Sequence, residues 1–303
     1  MNVLARAWDS DLLHSFRSSP VAVVSALVLL ILLVAAVFCR WIAPYDPYDL
    51  ASLNLMDSFQ PPMMVGDGTP AHPLGTDDQG RDLLSAILYG ARISFAVGLF
   101  SVLFAVIVGI AVGLVAGYFG GGVDAALMRL ADVQLSFPAI LIALLIDGVV
   151  SVSLPRDMRE SLEVYVLIFA IGISFWPQFA RTVRGSTLVE RGRDYVMAAR
   201  VIGLSGPRIM LTHILPNVLG PVMVIATLSL GLAIISEATL SYLGVGLPPT
   251  QPSVGTLIRI GNDFLYSGEW WIAVFPGIAL VLIVLSINLL GDWMRDALNP
   301  RLR

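Results

Sequence analysis

Long apolar runs alternate with polar, turn-rich connections along this chain, and six of the runs reach the length a bilayer demands. A spanning helix needs about 20 mostly apolar residues. The runs near Val21–Phe38, Ser94–Tyr118, Val133–Val150, Val164–Ala180, Ile214–Ile235 and Ile272–Leu290 meet that need. None alternates with the two-residue period of a barrel strand, and in hydrocarbon every backbone N–H and C=O must be bonded within its own segment. The expected fold class is therefore an all-α membrane protein with six transmembrane helices.

These spans divide the chain into an amphipathic N-terminal segment (1–20), a first transmembrane helix (21–38), a loop region (39–93), a membrane core (94–291) and a tail (292–303). Arginine placement sets the orientation. Arg6, Arg17, Arg129, Arg181, Arg184, Arg191, Arg193, Arg200, Arg208, Arg295, Arg301 and Arg303 fall on one side; Arg40, Arg81, Arg92, Arg156, Arg159 and Arg259 fall on the other. Positive charge is retained in the cytosol, so both termini and the loop at 181–213 are expected there and region 39–93 outside. Region 39–93 is rich in Pro, Asp and turn residues, which predicts a compact, loop-rich lid without its own core. A second outward piece, Gly244–Trp271, carries LPPTQPSVG and ends in Trp270 and Trp271, which read as interfacial anchors at the next membrane boundary. Two apolar stripes lie outside the runs: Val3, Leu4, Ala7, Trp8 and Leu12, then Leu84, Ile87, Leu88 and Ala91. Each fits a helix lying flat at the interface or a helix extension packed on neighbours. The first run is too long for a secretory signal and five more spans follow, so it reads as a retained anchor.

Composition agrees with residence in lipid: 57% of residues are hydrophobic and 13% charged, and the mean hydropathy is +0.83. All 18 basic residues are arginine, and no basic patch suggests nucleic acid. A lone Cys39 and three scattered histidines give neither an internal disulfide nor metal-ligand spacing, and no nucleophile–base constellation converges, so no catalytic residue is assigned. Bulky Phe38 argues against acylation of Cys39, which reads as a small apolar residue near a helix end.

Ionisable residues inside a bilayer are functional suspects. Asp147 alone sits well within an expected span, and it is the candidate for a translocation path; the bland alternative is a carboxylate reaching interfacial water beside Gly148. Asp132, Glu237 and Asp292 lie at span ends, where solvation or an arginine partner suffices; Asp292 and Arg295 have pairing spacing. Gly109, Gly113 and Gly117 recur every fourth residue, leaving one helix face bare for a close neighbour. Pro138, Pro177, Pro221 and Pro276 permit kinks within spans.

The basic loop carries the most informative local pattern. Asp194–Ile202 predicts a short helix, Gly203–Pro207 a break, and Arg208–Leu215 a second helix leading to Pro216 and the fifth span. Ala198 and Ala199, flanked by Tyr195 and Val201, would offer a small-residue docking surface, since little side-chain entropy is lost there. The plain alternative is a loop that only fixes topology.

The segment DYVMAARVIGLSGPRIMLTHILPN resembles the loop in membrane subunits of binding-protein-dependent ABC importers: Ala198, Ala199, Gly203, Ile214, Leu215 and Pro216 match its pattern, with Met197 in the acidic position. HPLGTDDQGRDLLSAILYGARIS, DVQLSFPAILIAL and EATLSYLGVGLPPTQPSVG, in that order, are similar to the C-type permease of the dipeptide, oligopeptide and nickel branch. The resemblance implies a type I importer transmembrane domain: a permease core at 94–291 whose coupling loop, 181–213, presents Tyr195, Ala198, Ala199, Gly203, Leu204 and Pro216 to an ATPase. It also implies the partners, namely a homologous B-type permease, two cytosolic ABC ATPases using ATP and Mg, an extracytoplasmic solute-binding protein and membrane lipid. No cofactor is expected on this chain itself. Its lack of lysine agrees, because a P-loop needs one to reach nucleotide phosphates. An ion-gradient-driven transporter or channel is the competing class, but it calls for paired carboxylates or histidines at the midplane.

Overall fold

The structure, a computed structural model, describes residues 11–49, 53–66, 68–153, 155–247 and 251–297. Helices α1 (Asp11–Ser18), α2 (Pro20–Val37) and α3 (Cys39–Ile42) are followed by a long loop region. The core then comprises α4 (Leu83–Phe119), α5 (Gly121–Leu135), α6 (Ala139–Ser153), α7 (Arg156–Glu190), α8 (Asp194–Val201), α9 (Gly206–Ile209), α10 (Leu215–Tyr242), α11 (Val254–Phe264) and α12 (Trp271–Ala297). Among the described residues there is no strand, only an isolated bridge between Thr76 and Asp82. The stripe Val3, Leu4, Ala7 and Trp8 lies outside the described residues, as do Arg6, Arg301 and Arg303.

Local chemistry starts the helices. The Ser19 hydroxyl accepts from Ala22 N at 3.3 Å while Pro20 occupies the first turn of α2, and Asp82 caps α4 by accepting from Ser85 N at 2.8 Å. The second apolar run begins earlier than its hydropathy suggests. Its helix absorbs Leu84, Ile87, Leu88 and Ala91, with Ile87 and Ala91 buried, so this stripe is a packed extension of a 37-residue helix rather than an interfacial one.

The central seam is α4 on α7. A Cβ added to Gly109 would lie 2.3 Å from Phe179 Cβ, one on Gly113 2.6 Å from the Ala180 carbonyl oxygen, and one on Gly117 2.6 Å from Thr187 Cβ. The bare face therefore brings two backbones together as its four-residue spacing predicts. On the other flank α12 packs against α2, α10 and α11.

The third expected span, Val133–Val150, is not one rod. It breaks at Ser136–Pro138, and α5 and α6 meet at 88°. Pro138 supplies no N–H, and the Ser136 hydroxyl instead donates to Asp132 O at 2.9 Å, closing the end of α5. α5 lies against α7 through ion pairs Asp132–Arg181 and Asp124–Arg184 and through Gln134, which accepts from Trp176 Nε1 at 2.7 Å. Asp132 thus has the arginine partner its position suggested. No ion pair joins Asp292 to Arg295 among the described residues.

Region 53–82 folds as a cap over the N-terminal end of α4. Thr76 and Gln60 exchange hydrogen bonds, Thr76 N donating to Gln60 O at 3.0 Å and Gln60 N to Thr76 Oγ1 at 2.8 Å. Arg81 and Asp77 form a buried pair at 2.6 Å. Gly80 turns the chain at φ 76°, where an added Cβ would strike Asn54 O at 2.4 Å. Trp271 is buried and donates its Nε1 to Thr76 O at 3.1 Å, so it bolts the cap to α12 and is no interfacial anchor. The Gly244–Trp271 piece contains the amphipathic helix α11, capped by the Ser253 side chain, which accepts from Thr256 N.

Candidate functional site

At the other end of α4, about 55 Å away along a 37-residue helix at 1.5 Å per residue, the chain forms an elbow. Helix α8 ends in a Schellman closure. Leu204 N donates to Ala199 O at 3.1 Å and Gly203 N to Arg200 O at 3.0 Å, with Gly203 at φ 80° in the left-handed region. A Cβ on Gly203 would meet no atom within 4 Å, so its requirement is conformational and not steric. Ser205 and Pro207 then start α9.

The expected docking surface changes in one respect. Ala199 faces inward with Val196, Ile209 and Ile214, joining the core of the spans, whereas Ala198 is exposed. The outward face consists of Ala198, Met197 and two bare aliphatic side chains, Val201 at 87% and Ile202 at 74% exposure. Four apolar side chains on a protruding hairpin form a tip that favours burial against another surface. Leu204 is half-buried against the core and Pro216 is exposed.

Three ties carry the elbow into the membrane helices. The Arg191 Nη1 donates to Tyr118 O at 3.0 Å, the Arg200 guanidinium sits 5.2 Å from the Tyr118 ring centroid, and Gly206 allows that ring to approach so closely that a Cβ there would stand 3.1 Å from Tyr118 Cε1. Tyr195 links the end of α7 to the start of α10: its hydroxyl donates to Glu190 and accepts from Asn217 Nδ2 at 3.0 Å. Burial pushes the Tyr195 phenol above its ordinary value, and the Glu190 carboxylate adds to this, so it stays protonated at neutral pH.

Entry into α10 is irregular. Pro216 has no N–H to give, and the preceding turn, Met210–Ile214, widens so that Leu215 N reaches back five residues to Met210 O. The Asn217 side chain then donates to His213 O at 2.9 Å. Single widened turns of this kind are rare and are found frequently at functional sites.

Two acidic residues complete the inventory. Asp147 is half-buried on α6 and is engaged by a contact within the chain. Glu237 is not at a solvated span end: it is fully buried in α10 and accepts from Ser94 Oγ at 2.7 Å and Ser241 Oγ at 2.8 Å. Hydroxyls from two helices take the place of an arginine partner. Tyr118, Arg191 and Glu237 carry weight that sequence reading missed; the one available signal was a lone carboxylate in an apolar run.

A family model described as the inner membrane component of binding-protein-dependent transport systems matches residues 109–303, and one described as the N-terminal TM domain of oligopeptide transport permease C matches residues 7–62. The chain is 41% identical over 292 residues to the dipeptide transport system permease protein DppC of Escherichia coli (strain K12), covering 96% of this chain and 92% of that protein. It is 39% identical over 292 residues to the glutathione transport system permease protein GsiD of Escherichia coli O6:K15:H31 (strain 536 / UPEC), covering 95% and 89%. Among solved structures, a chain of the MetNI methionine ABC transporter in an inward-facing conformation aligns with TM-score 0.56 at 20% identity, covering 72% of this chain and 98% of that one. That last likeness bears on the fold alone.

Proposed function

Because the chain belongs to the family of inner-membrane components of binding-protein-dependent transport systems, and is thus an ABC importer permease, we propose that it is the C-type subunit of an importer for di- or oligopeptides. Its relatives named for dipeptide and glutathione transport support that solute class. A homologous B-type permease, two cytosolic ATPases that bind ATP and Mg, and an extracytoplasmic binding protein complete the machine. Both termini and the elbow lie in the cytosol, in keeping with the arginine distribution.

The apolar tip on an elbow clamped to Tyr118 is the observation that carries this reading. Closure of the ATPases displaces Ala198, Val201 and Ile202; the buried side of α8 and the Arg191 and Arg200 contacts pass the movement to α4, and the widened turn before Pro216 absorbs the change in angle with α10. The chain contributes a lever and a pathway, while the hydrolytic chemistry resides in its partners.

The test is crosslinking of Val201→Cys to ATPase cysteines in the assembled importer, combined with dipeptide uptake into proteoliposomes. A crosslink that impairs uptake, and uptake that needs ATP inside the vesicle rather than an imposed proton or sodium gradient, is the expected result. Gradient-driven uptake without ATP, or an elbow accessible only from the binding-protein side, refutes the assignment.

A further inference from the structure

Near the cap end of the bundle is a cavity of about 350 Å³, at the small end of the ~300–1,000 Å³ range of small-molecule sites. One wall is a single stripe of α4: Tyr89, Arg92, Ile93 and Ala96 follow the i, i+3, i+4, i+7 spacing of one helix face. Val164 of α7 faces it, and Tyr48 and Gln251 border it from the two connecting regions.

Three properties distinguish this cavity from a packing defect. First, Arg92 has no ion-pair or hydrogen-bond partner among the described residues, although the other lining groups are uncharged and Ile93, Ala96 and Val164 are apolar. Arg92 is exposed, so its guanidinium fork is accessible to an anionic group that enters the cavity. Second, the Tyr48 hydroxyl is a buried donor without a partner among the described residues, and its ring is held edge-on against Tyr89, centroids 5.1 Å apart. Burial pushes the Tyr48 phenol up, so it remains a donor. Third, the nearby acids have partners of their own within the chain: Asp46 Oδ1 accepts from Tyr48 N at 3.0 Å, Asp82 holds Ser85 and His72, and Asp49 and Glu163, which flank Tyr48 and Val164, are each engaged by a contact within the chain. A fork of guanidinium donors, a phenol donor and an apolar floor fit a small solute with a carboxylate at one end and an apolar body. An acyl chain would leave the polar groups unused.

We propose that this cavity is a subsite on the translocation path, in which Arg92 holds the free carboxylate of the transported solute with help from Tyr48 while the solute's body lies on Ile93, Ala96 and Val164. The proposal deepens the peptide-importer reading and rests on it. Arg92 sits 26 residues before Tyr118 on the same helix, about 39 Å along its axis, so occupancy at one end and the elbow at the other share one rigid element.

Cys39 is the sole cysteine of the chain and is buried, so Ala96→Cys installs a selective reporter. Thiol labelling of this subunit would be followed in the assembled importer in phosphatidylcholine nanodiscs, with alanyl-alanine or its C-terminal amide as probe; Val164→Cys repeats the readout from the facing helix. The free dipeptide should protect at a concentration about ten- to a hundredfold lower than the amide, the factor expected for one charge-assisted hydrogen bond. Arg92→Gln should abolish that preference and Arg92→Lys retain part of it. Equal protection by the amide, undiminished protection in Arg92→Gln, or protection that follows added phosphatidylglycerol instead of dipeptide overturns the subsite. ATP-driven dipeptide uptake by the wild-type complex separates the two claims: its absence removes the importer reading, whereas normal uptake without protection removes the subsite alone.

Discussion

Gly113→Ala and Gly185→Ala add the same methyl group to two helices of one seam, and the structure assigns them opposite signs. At Gly113 the new Cβ would lie 2.6 Å from both the Ala180 carbonyl oxygen and Val183 Cβ, where ordinary contact begins at 3.4 Å, so α4 and α7 must part by roughly the difference, about 0.8 Å. A forced insertion of this kind costs about 1–3 kcal/mol. Replacing a helical glycine returns about 0.5–1 kcal/mol of backbone entropy, leaving a net destabilisation of about 0–2.5 kcal/mol, centred on about 1 kcal/mol. At Gly185 on α7 nothing lies within 4 Å of an added Cβ, so only the entropic gain applies and the variant should be neutral or slightly more stable. Gly109→Ala should be worse than Gly113→Ala, since its Cβ would sit 2.3 Å from that of the fully buried Phe179. Thermal melts of the purified, assembled importer give the order: Gly185→Ala at or above wild type, then wild type, Gly113→Ala, and Gly109→Ala lowest. If Gly113→Ala melts with Gly185→Ala, the seam has room the distances deny, and close backbone packing is not what holds α4 to α7.

Glu237→Ala leaves the Ser94 and Ser241 hydroxyls buried without their acceptor, at about 1–3 kcal/mol for each orphan, whereas Glu237→Gln keeps an acceptor; melts should rank wild type, Gln, Ala. Gly203→Ala forces a side chain into φ 80° at about 1 kcal/mol, and Gly203→Pro also removes the donor to Arg200 O; ATP consumed per dipeptide transported should rise in that order. Tyr118→Ala abolishes the ring beneath Arg200 and, with ~0.5–2 kcal/mol lost, should lower uptake more than ATPase activity; equal loss of both counts against a lever. Burial, reinforced by Asp77, raises the half-buried Asp78 carboxyl above its ordinary value, so this group's contribution to stability is complete below its unfolded-state pKa and is lost as pH rises through the folded one. Asp78→Asn should therefore melt higher than wild type at neutral pH, with the gap closing as pH falls into the carboxylate range.

What the sequence revealed and what it concealed divide by the range of the interaction. Span length, the glycine face of α4 and the break at Gly203 are properties of consecutive residues, so hydropathy, four-residue spacing and turn chemistry expose them. The bend at Ser136–Pro138 was a weaker case: apolar residues on both sides kept one hydrophobic window, although Pro138 carried the warning. Contacts between distant segments left no such trace. Glu237 is buried because Ser94 approaches from 143 positions away, and Trp271 is a bolt because Thr76 comes from 195 positions away. Nothing local distinguishes that tryptophan from Trp270 beside it, which is 39% exposed. Arg92 shows the functional side of the same rule. Counted along the chain it is one cation near a span end, a marker of topology. Set on α4 between Tyr89 and Ile93, on a cavity shared with Val164 and a Tyr48 hydroxyl that has no partner among the described residues, it becomes an exposed guanidinium without an ion pair among those residues, and under the proposal above it is the group that holds an entering carboxylate.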